Sequence, residues 1–200
     1  MATTRIIVGI GDSTTAGTPG FRSPIEAPPS GRGNPESQYA YWMMKAYPEW
    51  AVLNRGINGQ RSDEILSRFE RDVVAIKPAV VIILAGVNDI FQRRSADSVK
   101  RNLKAMYELA ERNSIVPVTA TVLPYDIASR DESRAILEVN AWIETESRAR
   151  GMLFCDTNLA VRDKDNPHLL GSSPDGLHPD IQGYRRMGEA LSVTLESAGY

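Results

Sequence analysis

Ala79-Val-Val-Ile-Ile-Leu84 is an unbroken apolar run, rich in β-branched residues and followed directly by Ala-Gly-Val-Asn-Asp89. Apolar at every position and bounded by glycine, it reads as a central strand covered on both faces. Four shorter runs join it: Arg5–Ile10, Ala51–Asn54, Ser114–Thr119 and Met152–Cys155. Pro117 has no N–H to offer a ladder, so the run that contains it is expected at an edge or a bulge. Between the runs, apolar residues recur at helical spacing. Ile65, Phe69, Val73 and Ile76 follow Ser62-Asp63-Glu64, a helix-opening signature. Val99, Leu103, Met106 and Ala110 follow Ser95-Ala96-Asp97 in the same way, Ile136, Val139 and Ile143 mark a third helix, and Ile181, Tyr184, Gly188, Leu191 and Leu195 a last one. Strands alternating with helices fold through right-handed βαβ crossovers. The fold class is therefore α/β, a three-layer α/β/α sandwich around a mostly parallel five-stranded sheet.

With 200 residues, 42% of them apolar, the chain is long enough for one compact domain over 1–200 and needs no disulfide or metal staple. Its 23 Lys+Arg against 25 Asp+Glu leave a formal charge of −2, and the scattered arginines form no basic stripe of the kind that binds nucleic acid. Cys155 is the only cysteine, so no intrachain bridge can form, and its apolar surroundings mark it as inert core. No apolar run approaches the ~20 residues that span a bilayer. The opening MATTRIIVGIGDS has no basic n-region or apolar h-region, so a cytoplasmic location is the expectation.

Three stretches resist regular structure: Thr18–Ser37, rich in Pro and Gly, then Leu123–Asp131 and Thr157–Pro179. In a parallel sheet the loops beyond the carboxyl ends of the strands form the ligand crevice. The first and last of these stretches are expected on that rim, with 18–37 as an elaborated loop.

The chemistry starts at Gly9-Ile-Gly11-Asp12-Ser13, where a serine follows a strand directly. Serine attacks only when a base takes its proton. The chain has two histidines, and one of them closes Asp175-Gly-Leu-His178, with a carboxylate three residues before an imidazole. Such a pair can orient the ring and stabilise it once protonated. Pro179 is expected at the first helical position of the last helix, which would set His178 near a positive helix end. His168 has no comparable neighbour and reads as a surface histidine. Asn88, at the end of the strongest strand, can point its side-chain NH₂ into the crevice. Asn54-Arg-Gly56-Ile-Asn-Gly59-Gln60 supplies backbone N–H groups after the second strand. Together these are the donors that the oxyanion of a tetrahedral intermediate needs.

Gly11-Asp12-Ser13, the glycine block Asn54–Gly59, Gly86-Val87-Asn88-Asp89 and Asp175-Gly176-Leu177-His178 occur in this order, and with them the sequence resembles the SGNH hydrolase superfamily of GDSL-type lipases and esterases. The resemblance implies a flavodoxin-like fold and a serine esterase that needs no cofactor and no metal. It implies Ser13 as nucleophile, His178 as general base and then acid, and Asp175 as its orienting partner. It also implies an oxyanion hole from the Ser13 N–H, the Gly59 N–H and the Asn88 side chain. Gly59 is preferred to Gly56 because it directly precedes the helix-opening Gln60-Arg-Ser-Asp63. Thr14 stands where the family motif has leucine, a position outside the chemistry.

Plainer readings exist for each residue. Ser13 could cap a helix, Asn88-Asp89 could be a turn, and Asp12 and Asp89 read as structural carboxylates. Gly9-x-Gly11 lacks the third glycine of a dinucleotide loop, and Asp163-Lys-Asp165-Asn166 lacks the glycine and glutamate of a calcium loop. Tyr39, Tyr41 and Trp42 read as core, or as one wall of the substrate pocket. With no deep apolar tunnel evident, the expected substrate is a small-molecule or carbohydrate ester with a short acyl group such as acetyl. An acyltransferase using the same site, and a catalytically silent carbohydrate-binding module, are the alternatives.

Overall fold

The computed structural model describes residues 4–200. Along the chain run β1 (Arg5–Gly11), α1 (Ser13–Ala16), the two-residue strands β2 (Phe21–Arg22) and β3 (Arg32–Gly33), α2 (Tyr39–Ala46) and β4 (Trp50–Gly56). There follow α3 (Ser62–Ser67), α4 (Phe69–Asp72), β5 (Val80–Leu84), α5 (Val87–Phe91), α6 (Ala96–Arg112) and β6 (Val116–Ala120). The chain closes with α7 (Arg130–Arg150), β7 (Leu153–Cys155), α8 (Thr157–Val161) and α9 (Ile181–Ser197).

Five strands pair in the order β4-β1-β5-β6-β7, every pair parallel, with helices on both faces. This is the flavodoxin-like three-layer arrangement. Strand alternation sorts the apolar residues. Val8, Ile10, Val81 and Ile83 face a core shared with Ile65, Phe69, Leu103 and Val139. Ile7, Val80, Ile82 and Leu84 face the other core, with Tyr39, Met43, Tyr184 and Leu191. A strand buried on both faces has no polar position to offer, which is why residues 79–84 read as one apolar run. The order of connection reverses between β1 and β5, so the crevice of such a sheet opens at their carboxyl ends.

Several expectations are corrected. β6 is an interior strand, not an edge. Pro117 pairs with Val81, and β7 begins its pairing only opposite Val118, so the missing N–H falls where that neighbour has not yet started. The period from Ile65 to Ile76 is not one helix but α3, α4 and a 3₁₀ turn at Val74–Ile76, broken at Arg68. Ser62 is inside α3 and the cap position is Arg61, whose backbone N–H donates to the Glu64 carboxylate at 2.9 Å. Residues 18–37 are not irregular throughout: β2 and β3 form a small antiparallel ribbon, and α8 opens the 157–179 stretch. Asp180, not Pro179, starts the last helix, its carboxylate accepting the Gly183 N–H at 2.7 Å. Cys155 is buried, and burial pushes its thiol up to about 11, as an inert core cysteine requires. No helix among the described residues is long and apolar enough to cross a membrane.

Candidate active site

β1 delivers Asp12 and Ser13 to the rim at the point where the sheet order reverses. Asp12 is the N-cap of α1: its carboxylate accepts the Thr14 N–H at 2.9 Å and the Thr14 hydroxyl at 2.8 Å. The cap role open to Ser13 is thus filled by its neighbour, and the serine hydroxyl is left for another partner. That partner is His178, whose Nε2 lies 2.9 Å from Ser13 Oγ. Burial raises the Asp12 carboxyl from 3.8 to about 6 against the lowering effect of its Thr14 bonds, and its second oxygen is buried with no hydrogen-bond partner.

The histidine arm is a turn held mainly by its own hydrogen bonds, with one outside tie, the Asp126 N–H donating to the Gly176 carbonyl at 2.8 Å. His178 Nδ1 lies 2.7 Å from Asp175 Oδ2, while Asp175 Oδ1 accepts the N–H groups of Leu177 and His178, each at 2.9 Å. Ser173 Oγ accepts the Gly176 N–H at 2.8 Å and donates to the His178 carbonyl at 2.7 Å. Burial opposes ionisation of Asp175, but the imidazole and the two backbone N–H groups outweigh it and hold its carboxyl below the usual range. Asp180 caps α9, so His178 stands two residues before the cap and outside the helix.

Opposite, Asn88 sits in the first turn of α5 and donates one side-chain N–H to the Gln60 carbonyl at 3.0 Å. Gly59 has φ +74°, a left-handed conformation that favours glycine, and so turns the chain after β4 toward the crevice. Gly56 is a packing glycine: a Cβ there would run into the Ala16 backbone, and its N–H donates to Asn54 Oδ1 at 3.0 Å. Ser13, Gly59, Asn88 and His178 line one cavity of about 250 Å³. Asp89 is structural. It is buried and accepts both the Ser62 N–H and the Ser62 hydroxyl at 2.7 Å, fastening α5 to α3.

Several residues of the site are not marked in the sequence. Val87, Phe91, Tyr125 and Leu177 form the apolar wall of the cavity, with Phe91 and Tyr125 edge to face at 6.0 Å. Phe91 ends a five-residue helix, too short to show a period, and Tyr125 lies in the 123–131 loop. Thr14 also lines the cavity, so the departure from the leucine of the motif falls on the site itself. Tyr39 is core, and neither it nor Tyr41 or Trp42 reaches this cavity. The 18–37 loop braces the glycine block: Asn58 donates through its backbone and side chain to the Glu26 carboxylate at 3.0 and 3.1 Å, and its side-chain oxygen accepts from the Thr18 hydroxyl. His168 is exposed, and Asp163 Oδ1 is occupied by the N–H groups of Asp165 and Asn166. Among the described residues no group of three or more His, Cys, Asp or Glu side chains converges as a metal site.

Hydroxyl, imidazole and carboxylate stand in series on the carboxyl edge of a parallel α/β sheet, the set with which a serine can be activated, and the family that the chain matches makes it a serine hydrolase acting on esters. The chain belongs to the GDSL-like Lipase/Acylhydrolase family, whose model matches residues 10–186. An acetylxylan esterase of Geobacillus stearothermophilus is 24% identical over 168 residues, 76% of this chain and 77% of its own. Among solved structures, a protein ascribed to the G-D-S-L lipolytic family from Desulfitobacterium hafniense superposes with a TM-score of 0.78 at 30% identity, covering 94% of this chain and 98% of its own. A GDSL-like lipase from Bacteroides thetaiotaomicron gives 0.79 at 26% identity, covering 99% and 91%.

Proposed function

We propose that this esterase cleaves carboxylic esters of short acyl groups through an acyl-serine intermediate. The observation that carries the reading is the continuous path from Ser13 Oγ through both nitrogens of His178 to Asp175 Oδ2, opening on a cavity that Gly59 and Asn88 also line. Ser13 Oγ attacks the ester carbonyl as His178 Nε2 takes its proton, and Asp175 stabilises the imidazolium. The carbonyl oxygen, now negative, rests on the Ser13 N–H, the Gly59 N–H and the free N–H of Asn88. As the tetrahedral intermediate collapses, the imidazolium protonates the departing alkoxide. Water then repeats the sequence on the acyl-serine, releasing the acid and restoring the serine.

The cavity supports a small acyl group. At about 250 Å³ it lies below the ~300–1,000 Å³ usual for drug-sized ligands, and its Val87, Phe91 and Leu177 wall suits a methyl or short alkyl group. The relative that acts on acetylated xylan points the same way. Two measurements test the reading. A fluorophosphonate is expected to label the protein and to fail on Ser13→Ala. The rate on p-nitrophenyl esters is expected to be greatest for acetate to butyrate and to fall by octanoate. Labelling that survives Ser13→Ala, or unchanged hydrolysis by His178→Ala, overturns the mechanism, and product analysis with an added acceptor alcohol separates hydrolysis from acyl transfer.

A further inference from the structure

We propose that Arg68 is a positioning residue for the oxyanion donors, a single guanidinium that ties the end of β1 to the stretch after β4 and, through Gln60, reaches the partner of Asn88. The inference rests on the oxyanion assignment above and concerns what keeps those donors in place. Arg68 stands at the break between α3 and α4 and is 6% exposed. Its Nε donates to the Gln60 side-chain oxygen at 2.6 Å, and Nη2 to the Gly11 carbonyl at 2.8 Å. Nη1 donates to the Arg55 carbonyl at 2.8 Å and to Asp72 Oδ2 at 2.9 Å.

These partners share one neighbourhood. Gly11 stands two residues before Ser13, and Gln60 directly follows Gly59. The Gln60 carbonyl also accepts one N–H of Asn88 at 3.0 Å, leaving the other for the cavity. Each donor is therefore within two residues, or one hydrogen bond, of a residue the guanidinium grips. The planar fork of an arginine can reach oxygens on separate segments at once, whereas the ammonium of a lysine is a compact point charge on a flexible stem.

Stability alone does not explain this arrangement. A buried ion pair is weak evidence for stability, and fixing a unique geometry is its better-attested use. Nor does Asp72 depend on Arg68, because Arg71 also donates to it, through Nε at 2.7 Å and Nη2 at 2.9 Å. Arg71 is exposed and bonds neither rim segment in this way. An oxyanion hole acts through donors placed before the charge develops, and a shift of about 1 Å can cost ~10²-fold in rate.

The test is Arg68→Lys, assayed with p-nitrophenyl acetate on protein whose active sites are counted by fluorophosphonate titration. Titration is expected to reach completion, with kcat per titrated site lower by about 10- to 100-fold and KM within about threefold of the wild type. Arg71→Ala, which loosens the same ion pair without touching the rim, is expected to keep the wild-type kcat. In an Asn88→Ala background the loss caused by Arg68→Lys is expected to shrink, because one donor it positions is already gone. A kcat within about threefold of wild type, or an equal loss in both backgrounds, overturns the proposal. If Arg68→Lys does not fold, Gln60→Met removes one anchor and is expected to lower kcat about three- to tenfold at constant KM; a wild-type kcat there also overturns it. Failure of the site reading itself is seen separately, as an active Ser13→Ala or an Asn88→Ala of unchanged kcat.

Discussion

The turn Ser173–His178 and the stretch Arg55–Ser62 end at the same cavity, but the first is held mainly by its own hydrogen bonds, with Asp126 as one outside tie, and the second mainly from outside. In the turn, Ser173, Asp175, Gly176, Leu177 and His178 satisfy one another within six residues. In the stretch, Asn58 leans on Glu26, Gln60 on Arg68 and Asn88, and Ser62 on Asp89. The turn that carries His178 therefore depends mainly on local chain geometry, and the stretch that carries Gly59 on residues brought from three other parts of the chain. Changes far from the reacting carbon are expected to disturb the second arm and spare the first.

Asp175→Asn gives the largest effect of those that sharpen this contrast. Asparagine keeps an oxygen for the Leu177 and His178 N–H groups, so the turn survives while the ring loses its carboxylate. The expected result is a drop of about 10³- to 10⁴-fold in kcat with little change in melting temperature. A large loss of stability would show that the turn is not held mainly by its own hydrogen bonds. Next, Asn88→Ala is expected to lower kcat about 10²- to 10³-fold at nearly constant KM. Glu26→Ala, in the 18–37 loop, touches no reacting group but releases Asn58. A fall of about two- to tenfold in kcat/KM, measured beside a truncation of equal size on the outer face of α7, is expected to affect the site only from the loop. Equal effects would break the comparison.

The smallest effect on rate, but a measurable one on stability, belongs to Asp12. Its carboxyl titrates at about 6 when folded and at 3.8 when free, so the folded state binds the proton more tightly. That contribution is fully present below the free value and is lost as pH rises through about 6. The shift corresponds to about 3 kcal/mol of destabilisation at pH 8. Asp12→Asn preserves an acceptor for Thr14 and removes the buried charge. Urea unfolding is expected to show it more stable than the wild type at pH 8, with the advantage shrinking towards pH 4. A gain that does not vary with pH would mean that the charge is not its source.

Much of the site was legible because its chemistry uses few residue types at short spacing. Asp175-x-x-His178 is a local pattern, and a chain with two histidines leaves little choice of base. Ser13, Gly59 and Asn88 follow within a few residues of the ends of β1, β4 and β5, where a parallel sheet exposes its loops. What escaped the reading is the set of side chains whose role depends on a distant neighbour. Arg68 belongs to no motif, and Phe91 and Tyr125 carry no period at all. Ser62 looked like a cap until Asp89 occupied its N–H and hydroxyl.

The amino-acid order by itself determined the α/β alternation, the two-faced burial of the central strand and the pairing of Asp175 with His178, because periodicity and turn chemistry act over a few residues. Tertiary structure alone decided that Pro117 lies inside the sheet, that Asp12 takes the cap and frees Ser13, and that one buried guanidinium joins two segments of the rim. Those outcomes depend on strand register and on which side chain reaches a buried oxygen first, and neither is set until the layers pack.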